Sequence, residues 1–253
     1  RYIQSKNNNP NKIGSVERRK KALGGIAELT ISDGRITSHS LLNKCIEPRG
    51  IDYKENKFAF SSENIVHVIN KTNSTIITND WFSYIHTVNF SPNGEHVLIS
   101  SSGFDAIFEY KISSNTKTYE WFAWEHGFYQ AMEKDGTPLF LTRKKDIAAE
   151  WAASNLNFKL IDSPKEYELP TALRAAFINS VNYDTTNDHT ILATFFHEGA
   201  VYSINTLDHS LKRIFSNLNS PHGGKPNKNG YMVVSTRSGE VIIDNMVYSF
   251  KNL

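Results

Sequence analysis

Three histidines stand in one recurring context. His86-Thr87-Val88, His126-Gly127-Phe128 and His222-Gly223-Gly224 each open a short strand-like run, and Arg49 and Asn179 open two more. If those five runs lie side by side about one axis, Arg49, His86, His126, Asn179 and His222 converge at a single height. Three imidazoles with an open fourth position make a metal shell that acidifies water or polarises a carbonyl. The expected cofactor is therefore a divalent ion (zinc, iron or calcium) on His86, His126 and His222. Arg49 has the planar fork that grips a carboxylate, a phosphate or a developing oxyanion. The turns opening on the same end add Glu63, Asp105, His197, Glu198 and Arg237. Glu63, Asp105 or Glu198 can act as general base or steady a ligand imidazole through its second nitrogen, and His197 joins this catalytic set. Tyr84 and Trp124, each two residues before a ring histidine, would wall a pocket whose substrate contacts include Arg49, Asn179 and Arg237. A histidine at a strand start also serves simply to tie one sheet to the next, and turn carboxylates are commonly just turn residues.

What must position these residues is a repeat. One unit runs from Arg49 through Lys57–Ser62 and Ile65–Ile69 to Ser74–Ile77; a second runs from His86 through His96–Ser100 and Ala106–Tyr110 to Lys117–Trp121. Others start at Asn179 and His222. The starts at 49, 86, 179 and 222 are separated by 37, 93 and 43 residues, so a further unit belongs inside the long interval, and Glu125–Tyr129 supplies its start. Each unit reads as four short strands with tight turns. Such a unit cannot bury both faces alone, and radial stacking solves that problem. The reading is an all-β propeller, five-bladed with six as the alternative, spanning 23–253. Asp33-Gly34 marks a hairpin between 26–31 and 35–41, which either completes the last blade or forms a sixth, partial one. Lys145–Asn155 is Ala-rich and predicts a helix within an insertion near 142–170. Residues 1–22 are polar, without periodicity, and read as a flexible arm.

Val88-Asn89-Phe90-Ser91-Pro92-Asn93-Gly94 followed by Leu98-Ile99-Ser100-Ser101 resembles a WD40- or NHL-type blade, without the Gly-His and Trp-Asp signature. This resemblance implies fold only. The three blade-start phrases resemble those of propeller lyases of the peptidyl-amidoglycolate type, and that resemblance implies a zinc ion on His86, His126 and His222.

Composition sets the remaining bounds. The 253 residues are 39% hydrophobic and 21% charged, enough for a sizeable core. The net charge of +2 gives no electrostatic footprint for nucleic acid. The basic run Arg18–Lys21 lies in the polar arm. No apolar run approaches the length of a membrane span. The single cysteine, Cys45, rules out an intrachain disulfide and leans toward a reducing, cytoplasmic setting. Two functions stand: a metal-dependent lyase or hydrolase acting on a small polar or anionic molecule, and a non-catalytic scaffold recognising a peptide, glycan or protein. Oligomeric state is open at this level.

Overall fold

A computed structural model describes residues 20–250. The polar arm at 1–22 therefore lies, up to residue 19, outside the described residues. Among the described residues, twenty-one strands and one α-helix form four antiparallel four-stranded sheets, one three-stranded sheet and one two-stranded sheet. The regular sheets are β3–β6 (Pro48–Lys54, Lys57–Ser62, Ile65–Ile69, Ser74–Thr78) and β7–β10 (Ile85–Phe90, His96–Ser101, Ala106–Lys111, Thr116–Phe122), then β14–β17 (Ile178–Tyr183, Thr190–Phe195, Ala200–Asn205, Leu211–Phe215) and β18–β21 (Pro221–Asn227, Gly230–Ser235, Glu240–Ile243, Met246–Ser249). All five strand sets read from the sequence exist as sheets, and the architecture is a β-propeller.

Middle strands β8, β9, β15 and β16 are apolar on both faces, because a blade is sandwiched between neighbours. Val97, Ile99 and Phe108 of the second sheet pack with Val66, Val68 and Ile77 of the first. Leu98 and Ile107, on the opposite face, pack with Val181, Ala193 and Tyr202. Inner strands lie in the order β3, β7, β14, β18, with β7 packed directly on β14. Val181 N donates to Thr87 Oγ1 at 3.1 Å, and Asn89 Nδ2 donates to Val181 O.

The three-stranded sheet is set apart from this series. β11 (Gln130–Met132) pairs antiparallel with β12 (Pro138–Thr142), and β12 pairs parallel with β13 (Phe158–Leu160) through α1 (Lys145–Ala153). A parallel pair needs a crossover, and the Ala-rich helix supplies it. Trp151 holds α1 to the sheet, 5.5 Å from the Tyr129 and Phe140 ring centroids. This unit shares its own core, including Phe104, Trp124, Leu139, Leu141 and Ile161. The hairpin β1–β2 (Leu23–Ser32, Arg35–Ile46) stands as a separate sheet and does not complete the last blade, which has four strands of its own.

Inner strands approach one another closely. A Cβ added at Gly50 would lie 2.7 Å from Val88 N and 2.8 Å from Thr87 Cα. Backbone cannot yield as a side chain does, so glycine is required where β3 meets β7. Gly50→Val is expected to destabilise the fold by about 1–3 kcal/mol through overpacking. Urea denaturation followed by circular dichroism measures this; an unchanged midpoint would contradict the close packing of the two strands.

Candidate functional site at the axial mouth

Each regular blade enters its inner strand in the same way. The entry residue has left-handed backbone geometry without being glycine: Glu47 (φ 48°), Tyr84 (φ 53°), Phe177 (φ 50°) and Ser220 (φ 55°). Two positions later stand Arg49, His86, Asn179 and His222. The ladder slips at these residues: β7 pairs Ile85 with Ser101 and then Thr87 with Ser100, skipping His86, and β14 likewise skips Asn179. Comparable irregularities follow Pro48 and His222. A bulge re-aims a side chain. In the first two blades a hydroxyl from the second strand satisfies the backbone amide just past the ring residue. Ser61 Oγ accepts from Gly50 N, and Ser100 Oγ accepts from Thr87 N, both at 2.9 Å.

The bulged side chains meet. The His86 and His222 ring centroids are 6.1 Å apart. Tyr84 lies 6.2 Å from His86, and the Arg49 guanidinium stacks on Tyr84 at 3.7 Å. His86 is hydrogen-bonded to the backbone of Asn179. Asn179 is wholly buried; its Nδ2 donates to Pro221 O at 2.7 Å, while its Oδ1 has no partner. Phe177 and Phe196 close the sides, at 6.0 Å from His86 and 5.4 Å from His222.

Four further members of this site share no recurring residue type: Glu47, Arg174, Phe177 and Phe196. Glu47 Oε2 accepts from Arg49 Nη2 at 2.7 Å. Arg174, fully buried, donates through Nε and Nη2 to Leu169 O and lies over Tyr84 at 4.2 Å. Glu47 and Phe177 could have been found from the register, two residues before a ring position. Arg174 arrives at the end of the insertion, where no periodicity points to it.

The remaining expected residues divide. His197 joins the rim: its Nδ1 contacts Arg174 O at 2.9 Å, and its ring lies 5.6 Å from Phe177. Glu63 is buried at the mouth within 3.9 Å of Lys21 Nζ. Glu198 and Arg237 are exposed turn residues. Asp105 does not serve as a base open to substrate, because its carboxylate is saturated. It accepts from the backbone amides of Ala175, Ala176 and Phe177 at 2.8, 3.1 and 2.6 Å, and from Trp124 Nε1. Trp124 accordingly belongs to the core beside Trp81 and Phe104 rather than to a pocket wall.

His126 departs from the expected triad. It follows a 3-10 turn at Ala123–Glu125, and β11 begins only at Gln130. Its ring stacks on Trp121 at 4.7 Å and meets His209 at 5.3 Å, a set of partners distinct from those of His86 and His222. Among the described residues no three His, Cys, Asp or Glu side chains come together in metal-holding geometry. The donor set does not fit a three-histidine zinc, iron or calcium centre, and the chemistry of the mouth is derived from its own side chains.

Electrostatics tune the imidazoles downward. Burial, then the positive charge of Arg49, then His222 and Arg174, hold His86 at about 3, against the opposing hydrogen bond to Asn179. Burial lowers His222 as well, while its bond to Ser220 O works the other way. With that carbonyl 3.1 Å from Nδ1, the neutral ring carries its proton there and leaves Nε2 as a lone-pair acceptor.

No protein-family model and no curated protein matches this chain. Solved structures do. A protein of unknown function from Bacteroides caccae superposes with a TM-score of 0.52 at 14% identity, over 92% of this chain and 73% of that one. Virginiamycin B lyase from Staphylococcus aureus gives a TM-score of 0.46 at 14% identity, over 92% and 75%. A chain of the mitotic checkpoint complex gives 0.47 at 13% identity over 81% of this chain, which spans about half (51%) of that one's length. At 14% identity the Bacteroides caccae likeness bears on the fold alone. No helix among the described residues is long and apolar enough to cross a membrane.

A pH dependence follows. A histidine whose folded pKa lies near 3, against about 6.5 unfolded, binds fewer protons folded than unfolded within that interval. Stability is therefore complete above about pH 6.5 and falls as the pH drops toward 3. His86→Gln should flatten that acid loss in denaturant titrations. In the unsubstituted chain the His86 ring signals in NMR should not titrate between pH 7.5 and 5; a midpoint near 6.5 would contradict its burial beside Arg49.

Proposed function

We propose that the axial mouth binds a small anionic molecule and eliminates from it with side chains alone: a base takes a proton from carbon, the C–H electron pair becomes the new double bond, and the leaving group on the neighbouring atom departs with its bonding pair and is protonated by solvent. The observation behind this reading is the convergence of Arg49, His86, Asn179 and His222 from one repeat position, with Arg49 stacked on Tyr84. Arg49 is the anion anchor. Glu47 holds one of its terminal nitrogens, and stacking on Tyr84 fixes the guanidinium plane, leaving its remaining donors to a carboxylate or phosphate. Arg174 donates through Nε and Nη2 to the Leu169 carbonyl and adds positive charge beside His86. His222 is the proton acceptor, through Nε2. Its lowered pKa keeps it a free base into mildly acidic solution. His86 stays neutral and orients, because a second imidazolium beside two guanidiniums is costly.

The blade-start phrases that resemble amidoglycolate lyases include His86 and His222 of this mouth. Their metal set does not carry over, because His126 is elsewhere. A scaffold that recognises an anionic ligand without turnover uses the same Arg49 and differs only at His222.

Calorimetry against a panel of small carboxylates and phosphate tests the anchor: Arg49→Gln should weaken the best binder at least tenfold. Turnover of that binder should vanish in His222→Asn with affinity retained, and the acid limb of its rate profile should lie below the ordinary imidazole range. Binding that is indifferent to Arg49→Gln removes the reading. Binding without turnover in the wild-type chain leaves the scaffold alternative.

A further inference from the structure

A second pair of imidazoles meets away from the axial residues. Past β10 and the 3-10 turn at Ala123–Glu125, His126 lies flat on Trp121, with ring centroids 4.7 Å apart and an interplanar angle of 5°. The turn joining β16 to β17 supplies His209, whose ring stands 5.3 Å from His126 and 5.6 Å from Tyr119. Tyr119 and Trp121 are alternate residues of β10 and so share one face of that strand. Trp121 belongs to the core that joins the sheets β7–β10 and β14–β17, so the histidine pair borders the junction of two blades.

Neither ring is placed by its own nitrogens. The His126 backbone amide donates to Ala123 O and the His209 backbone amide to Asn205 O, both at 3.0 Å. Ring contacts with Trp121 and Tyr119 then set the planes. Among the described residues, neither His126 nor His209 spends a ring nitrogen on a hydrogen bond. The mouth differs, because His86, His197 and His222 each tie a ring nitrogen to the backbone. Both members of the outer pair are partly exposed, so solutes reach them.

Their separation is that of two ligands on one ion. An imidazole nitrogen sits about 2.0–2.1 Å from zinc, with the ring centre roughly 1.1 Å behind it. Two such rings at a tetrahedral angle have centres roughly 5.2 Å apart. His126 and His209 stand at 5.3 Å with their planes crossed at 74°. Burial and then the neighbouring His209 lower the His126 pKa, against Glu125 and with Lys144, which keeps the ring an unprotonated ligand at neutral pH. Imidazole suits zinc, copper and nickel, whereas calcium and magnesium take oxygen.

We propose that His126 and His209 form a two-histidine site for a divalent ion of the zinc and copper class, with water in its remaining positions. The ion bridges the segment leaving the second blade and the outer turn of the sheet β14–β17. The site shares no residue with the axial mouth and stands or falls independently of the chemistry there.

The probes are zinc chloride and copper sulfate, each alone, added to the 253-residue chain. Tm should climb with zinc concentration, as mass action requires of an ion that binds the folded state. Zinc affinity, read in competition with a chromophoric chelator, should fall at least tenfold in His126→Gln and in His209→Gln. It should be unchanged in His39→Gln, an exposed histidine of the hairpin. Copper bound to the unsubstituted chain should show EPR superhyperfine splitting from two imidazole nitrogens, a readout that depends on no variant's folding. A large excess of magnesium should leave zinc bound. Zinc affinity indifferent to both substitutions overturns the proposal. So does a copper spectrum with one coordinated nitrogen or none, and so does displacement of zinc by magnesium.

Discussion

The site depends on one backbone constraint, the left-handed step into each inner strand. A non-glycine residue there costs about 1 kcal/mol or more, and the chain makes that step at Glu47, Tyr84, Phe177 and Ser220. Each is held from outside. Ile85 N, just past Tyr84, donates to Glu63 O at 2.8 Å; Phe177 N donates to Asp105; Ser220 O accepts from Thr236 Oγ1 at 2.6 Å. Held in this way, the following bulge turns the next-but-one side chain toward the axis. The Glu63 backbone carbonyl and the Asp105 carboxylate therefore act as clamps on this step, and for Asp105 that role accounts for its burial.

Spacing made much of this legible from sequence and conformation hid the rest. Strand units, turns and the helix each have a local signature, so the propeller and four of the five ring positions could be read from spacing alone. The left-handed entries could not, because glutamate, tyrosine, phenylalanine and serine give no hint of positive φ. His126 shows the consequence. Its phrase imitates a blade start, yet it follows a 3-10 turn and has Gly127 at φ 88° ahead of a three-residue strand. Without the entry step and the bulge, its ring falls onto Trp121 instead of the axis. Asp105 misled for a related reason. An aspartate in a turn reads as a free carboxylate, whereas here three consecutive amides after the insertion converge on it.

Those same amides tie the insertion to the mouth. The segment from Ala123 to Arg174 leaves the second blade and returns at Ala175, where Asp105 receives it, and it delivers Arg174 beneath Tyr84. The Leu169 carbonyl takes two of the Arg174 donors, so this buried charge is oriented without being spent on a ligand. Its field reaches His86 and Asp105 alike. Many proteins share a propeller frame, and activity resides in what is grafted onto it. Here the graft is a second guanidinium behind the first, sharing one tyrosine ring. That arrangement makes the mouth electropositive and, together with burial, disfavours a proton on His86.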